Sequence, residues 1–147
     1  RWFSVISIHE GVRPHMALLL KPQAAQKKLT ELTPQALYVL AGSGPSWWAT
    51  YNDNLVALFG HVPIWHGRTM MWSYLGEDAG PSMLKLTREV KNILDANAGE
   101  FPRAEAYVER HHEAGHRWSR LLGFTRESGV MHKFAHGNDY VMYARVA

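Results

Sequence analysis

Cysteine is absent from the 147 residues, and that one absence removes disulfide scaffolds, thiolate zinc sites and thiol nucleophiles together. Any nucleophile or metal ligand has to come from His, Ser, Tyr or a carboxylate. Long apolar runs are missing as well. Met16 to Leu20, for example, stops at Lys21-Pro22, far short of the ~20 residues with which a helix spans a bilayer. Charge of one sign is never gathered into a block: 16 Lys and Arg stand against 13 Asp and Glu along the whole chain. The resulting net charge of +3 leans towards an anionic ligand such as a nucleotide cofactor and offers no residue-level ground for a nucleic-acid partner. There is no Gly-x-Ser-x-Gly elbow, no Gly-rich phosphate loop ending in Lys-Ser/Thr, no internal repeat and no low-complexity tract. The residues after Arg1 lack a charged start, an apolar core and a small-residue cleavage site, so no secretion signal is expected.

What is present suits a water-soluble core. Hydrophobic residues make up 46% and six Trp are included, which at this length predicts a single domain over 1–147. Trp2 to His9 alternates bulky and small polar residues before Gly11 and reads as an opening strand. Two short helices are expected over Leu18 to Leu20 and Ala24 to Leu32, with Pro22 at a helix start, and a third over Ala36 to Ala41, opened by Thr33-Pro34 and closed by Gly42. Trp47 to Tyr51 and Leu55 to Pro63, joined by Asn52-Asp53-Asn54, read as a hairpin. The turn His66-Gly67-Arg68 leads into a third strand, Thr69 to Leu75. Trp47, Trp48, Trp65 and Trp72 are expected in the core. From Pro81 onward, Met83, Leu84, Leu86, Val90, Ile93 and Leu94 recur at helical spacing. Strands over Ala104 to Val108 and Tyr140 to Val146 flank a helix from Glu109 to Leu122 ended by Gly123. The sum is an α+β fold with a mixed sheet. The unit from Thr69 to Val108 is a βαβ crossover, which requires parallel pairing.

His112-Glu113-Ala114-Gly115-His116 matches H-E-x-x-H, a spacing that puts two imidazoles on one helix face for zinc beside a carboxylate base. A zinc hydrolase needs a third ligand, for which Glu127 and His132 are candidates. The extended form would want Gly and His where Ser119 and Leu122 stand, and Arg117 sets a cation next to the proposed metal. The competing reading is a polar helix start that happens to contain His, and the site is read without a metal.

The same helix, followed to its end through Arg117-Trp118-Ser119-Arg120-Leu121-Leu122-Gly123-Phe124 and on to Tyr140-Val141-Met142-Tyr143-Ala144-Arg145, resembles the C-terminal half of the GNAT superfamily of acyl-CoA-dependent N-acetyltransferases. The series Leu20 to Leu37, Trp48-Ala49-Thr50, Val56 to Gly60 and Met71-Trp72 is similar in order and spacing to a phage-encoded branch of that superfamily, which includes internal virion proteins. The resemblance runs from about Val12 to Val146.

It implies a GNAT-like fold whose sheet splays between the strand ending near Tyr74 and the strand at Ala104 to Val108, with acetyl-CoA or another acyl-CoA as cofactor. Trp72, Ser73, Tyr74, Leu75, Ala79, Gly80, Ser82, Met83, His112 and Arg117 would line the cofactor. The family's phosphate loop, Arg/Gln-x-x-Gly-x-Gly/Ala, corresponds here to Gly76-Glu77-Asp78-Ala79-Gly80-Pro81-Ser82, which carries two acids and a Pro lacking an N–H. His112 stands where many members have Asn, and Ser119 where many have the Tyr that protonates the departing thiolate. The implied chemistry is attack of an amine acceptor on a thioester, with Glu77 or His112 as base and Tyr74, Ser119 or water as acid. The alternative is a virion or accessory protein that keeps the fold without turnover, acting in the host cytoplasm or in the particle alongside virion proteins.

Overall fold

The computed structural model describes residues 5–147, so Trp2, Phe3 and Ser4 of the strand expected over Trp2 to His9 lie outside the described residues. An eight-stranded mixed sheet is flanked by four α-helices. The strands are β1 (Ile6–Glu10), β2 (Ser46–Tyr51), β3 (Asn54–Trp65), β4 (Arg68–Leu75), β5 (Arg103–Glu109), β6 (Thr125–Arg126), β7 (Met131–Ala135) and β8 (Asn138–Val146). The helices are α1 (Ala24–Leu29), α2 (Pro34–Gly42), α3 (Met83–Ala96) and α4 (Glu113–Leu121). Hydrogen bonding orders the strands β1-β2-β3-β4-β5-β8-β6, with β7 on β8. The chain divides into two compact units, Arg1–Val62 with Trp72–Leu86, and Pro63–Met71 with Thr87–Ala147.

In the first unit, β1 pairs antiparallel with β2, and β2 with β3. The tight turn between β2 and β3 holds Asn52 at φ 51° and Asp53 at φ 69°. Both tolerate the left-handed region that a two-residue hairpin needs. Thr33 caps α2 through Oγ1, which accepts the Ala36 N–H at 3.1 Å, and Pro34 follows at the first helical position. Val12, Met16, Ala17, Leu20, Leu37, Leu58, Trp72 and Tyr74 form one buried apolar cluster of its core. Gly60 is held there by space: a Cβ would lie 2.8 Å from the Pro45 carbonyl oxygen and 3.0 Å from the Trp72 indole.

In the second unit, β4 pairs parallel with β5 over three residue pairs, Arg68 with Arg103 through Met70 with Glu105, and the register ends there. This is the parallel pairing that the crossover requires. β5 then runs antiparallel to β8 along its full length, from Arg103 opposite Val146 to Glu109 opposite Tyr140. Gly123, at φ 94°, ends the α4 segment.

Several expectations are corrected. Pro22 opens no helix. It forms an isolated antiparallel bridge with Gly76, and α1 begins after it at Ala24. Leu18 closes a 3-10 turn, Pro14–Leu18. Glu109 ends a strand rather than starting a helix, because its register with Tyr140 extends β5, and α4 begins four residues later. Trp65 is 78% exposed and Leu84 76% exposed, so neither belongs to the core. The two short strands β6 and β7 had no clear signal: one is two residues long and the other pairs irregularly with β8.

Candidate functional site

In the first unit, the end of β4 carries the groups of interest. Gly76 donates its N–H to the Val56 carbonyl on β3 at 2.7 Å. Backbone groups alternate sides along a strand, so Ser73 and Leu75 turn theirs to the other edge. That edge is satisfied from within the chain. Gln26 Nε2 donates to the Ser73 carbonyl at 2.7 Å, and the Leu75 N–H donates to Gln26 Oε1 at 2.7 Å. The Gln23 N–H donates to the Leu75 carbonyl at 2.9 Å, and the Glu77 N–H to the Lys21 carbonyl at 2.7 Å. Trp72 and Tyr74 point into the core, their rings 6.1 Å apart.

The loop after β4 turns three of its N–H donors on itself. Ala79 N–H bonds the Gly76 carbonyl, Ser82 N–H the Ala79 carbonyl and Met83 N–H the Gly80 carbonyl, while Pro81 has none. The Ser82 side chain is buried and donates to the same Ala79 carbonyl at 2.7 Å. Glu77 and Asp78 are exposed. Gly80 has open space where a Cβ would be, so close packing does not require Gly at that position.

In the second unit, His112 precedes α4 and is half-buried. Burial first, then the neighbouring His116, pushes its pKa below the ordinary 6.5, with Glu109 opposing. Its ring is neutral at neutral pH and can accept a proton. Ser119 is buried, and its hydroxyl is committed to the Gly115 carbonyl one turn back at 2.9 Å. Arg117 is exposed on α4.

His116, the second imidazole of the H-E-x-x-H match, faces the interior. Its Nε2 sits 3.0 Å from both the Glu109 and the Arg110 carbonyls and so carries the proton, while Nδ1 accepts the Tyr143 hydroxyl at 2.7 Å. With both ring nitrogens committed, it has no lone pair to offer a metal. The suggested third ligands are also engaged, Glu127 by Arg103 and His132 by Asp139. Among the described residues no three His, Asp or Glu side chains converge as a metal site.

Glu105 lies outside the site expected from the sequence. It is 1% exposed on β5, yet it accepts bonds from Arg68 at 2.7 and 2.9 Å, from Arg103 at 2.7 Å and from the Tyr107 hydroxyl at 2.8 Å. The Arg68 bonds foremost, followed by those from Arg103 and Tyr107, overcome the upward push of burial and hold its pKa at about 2. The signal was legible in principle, since Arg103, Glu105 and Tyr107 fall on one face at the two-residue period of a strand.

Strand order, the parallel β4–β5 step and the crossover helix define the class of fold, that of the GNAT N-acetyltransferases. A ribosomal L7/L12 α-N-protein acetyltransferase, solved in complex with coenzyme A, matches with a TM-score of 0.73 at 13% identity over 96% of this chain and 93% of its own. An acetyltransferase of the GNAT family from Streptococcus pneumoniae matches at 0.69 and 16% identity, over 97% and 99%. A ribosomal-protein-S5-alanine acetyltransferase from Vibrio fischeri matches at 0.69 and 13%, over 98% and 96%. The likeness at such identities is one of fold. No family model matches the sequence, and no curated protein does.

Proposed function

We propose that the chain is an acyl-CoA-dependent N-acyltransferase acting on an amine acceptor, of the phage-encoded branch that its motif order resembles. The observation that carries this is the whole-chain likeness in fold to acetyltransferases, one of them solved with coenzyme A. The residues present suit such a cofactor at one point. The Ser73 carbonyl and Leu75 N–H hold the carboxamide of Gln26 at 2.7 Å on each side, so this pair accepts an amide, and the arm of coenzyme A carries amides. Bound there, an acyl-CoA supplies an acyl group already activated as a thioester.

The chain's own residues then divide the proton work. His112, neutral because it is half-buried, takes the proton that the amine sheds. Ser119 gives up its place as acid, since its hydrogen is directed at the Gly115 carbonyl. With the Tyr74 ring packed in the core, water is the first choice of acid and the Tyr74 phenol the second. Glu77, exposed in its loop, is the second choice of base. Arg117, Ala79, Gly80, Ser82 and Met83 are proposed to border the phosphates.

Titration calorimetry with acetyl-CoA tests the binding step: heat fitting a Kd below millimolar is expected. Thiol release with a panel of primary amines tests turnover. Protonating His112 disables it, so kcat/KM is flat at neutral pH and falls as pH drops below 6.5. In the His112→Ala variant the rate falls about 100-fold and the acid limb disappears. A second reading, a virion or accessory protein keeping the fold without turnover, draws on the self-bonded loop with its Glu77-Asp78 pair. Absence of heat at millimolar acetyl-CoA selects it.

A further inference from the structure

We propose that Gln26 is a built-in competitor for the acyl carrier, a latch that must leave β4 before the amide-bearing arm of an acyl-CoA can be held there. The inference rests on the acyltransferase reading above. Its basis is the bond pattern. One atom pair of the Gln26 carboxamide donates to the carbonyl of Ser73 and accepts the N–H of Leu75. A residue in a parallel strand opposite Tyr74 would make the same two bonds, donating to the residue before it and accepting from the residue after. An extended arm containing a secondary amide offers the same donor and acceptor. Latch and arm therefore want the same two backbone groups, and only one can have them.

The latch is also built to open. α1 has six residues and buries none of them, and Ala24, Ala25, Lys27 and Lys28 are all exposed. A helix that short is not stable by itself in water. It is held through Gln26, the Gln23 and Lys21 backbone bonds and the Pro22–Gly76 bridge. The flanking bonds survive loss of the Gln26 side chain, so the Gln26→Ala variant folds with only the latch removed. An arm that replaces the carboxamide leaves no buried backbone group unsatisfied, so exchange is nearly balanced in hydrogen bonds.

The test combines acetyl-CoA calorimetry with amide hydrogen exchange on the full chain. If the latch is closed about nine-tenths of the time, Gln26→Ala binds acetyl-CoA about tenfold more tightly than the unaltered protein, because the competent fraction rises towards one. In the ligand-free protein the Leu75 N–H exchanges slowly, and it exchanges faster in Gln26→Ala. The Gln26→Glu variant, which keeps the acceptor but sets a carboxylate against the Ser73 carbonyl, also binds more tightly. Equal or weaker binding by both variants overturns the competitor role. Unchanged Leu75 exchange in Gln26→Ala overturns the latch itself. No binding by any of the three proteins overturns the acyl-carrier reading and the competition with it, and faster Leu75 exchange in that case marks the failure as one of function, with the contact intact.

Discussion

Glu105 stays ionised although it is almost wholly out of water, because four hydrogen bonds from three side chains reach its two oxygens. Removing its charge leaves Arg68 and Arg103 facing a neutral group, and hydrogen bonds to a charged partner are worth about 1.5–3 kcal/mol each in stability. Glu105→Gln is expected to lower the unfolding free energy by at least about 2 kcal/mol at pH 7, measured by urea titration. A change below a few tenths would mean that the network is surface decoration. The H-E-x-x-H match shows the converse. Spacing alone brought His112 and His116 together in the sequence reading, but a ring's usefulness depends on which atoms face it. The carbonyls of Glu109 and Arg110 and the hydroxyl of Tyr143 that occupy His116 come from a strand end and from a residue 27 positions away. No local pattern encodes them.

Elements were legible where one short-range cause dominates. Thr33-Pro34 opens α2 because a hydroxyl satisfies a free N–H and proline presets φ, both within four residues. The Asn52-Asp53 turn follows from tolerance of positive φ. Legibility failed where pairing decided the boundary. Glu109 carries no mark distinguishing a strand end from a helix start, and its ladder partner Tyr140 settles it. Pro22 looked like a helix opener, yet its position opposite Gly76 makes it part of an edge. At this scale Gly60→Ala is the sharpest test. The new methyl meets a backbone oxygen at 2.8 Å, which a side-chain rotation cannot relieve, so a loss of about 1–3 kcal/mol is expected. An unchanged melting temperature would show that β3 and the Pro45 segment give way freely.

For the molecule as a whole, pH is the variable that joins separate buried groups. Burial lowers the pKa of His61 from 6.5 to about 4. Between those values the unfolded chain binds the extra proton, so the contribution is complete above pH 6.5 and fades as pH falls to 4, by up to about 3 kcal/mol. Glu105, at about 2 against 4.5, contributes fully above pH 4.5 and loses its share from there down to 2. Unfolding free energies measured at pH 7, 5.5 and 4.5 should decline in that order, and His61→Phe should flatten the decline. A level profile would contradict a neutral His61 in the interior. The sequence by itself determined the principal strands and helices, β6 and β7 excepted, and the parallel crossover, because periodicity, capping and turn chemistry act over a few residues. Only the tertiary structure decided that Gln26 lies on β4, that Glu105 is ion-paired and that His116 is spoken for, because those outcomes depend on groups tens of residues apart, brought together by strand register and burial.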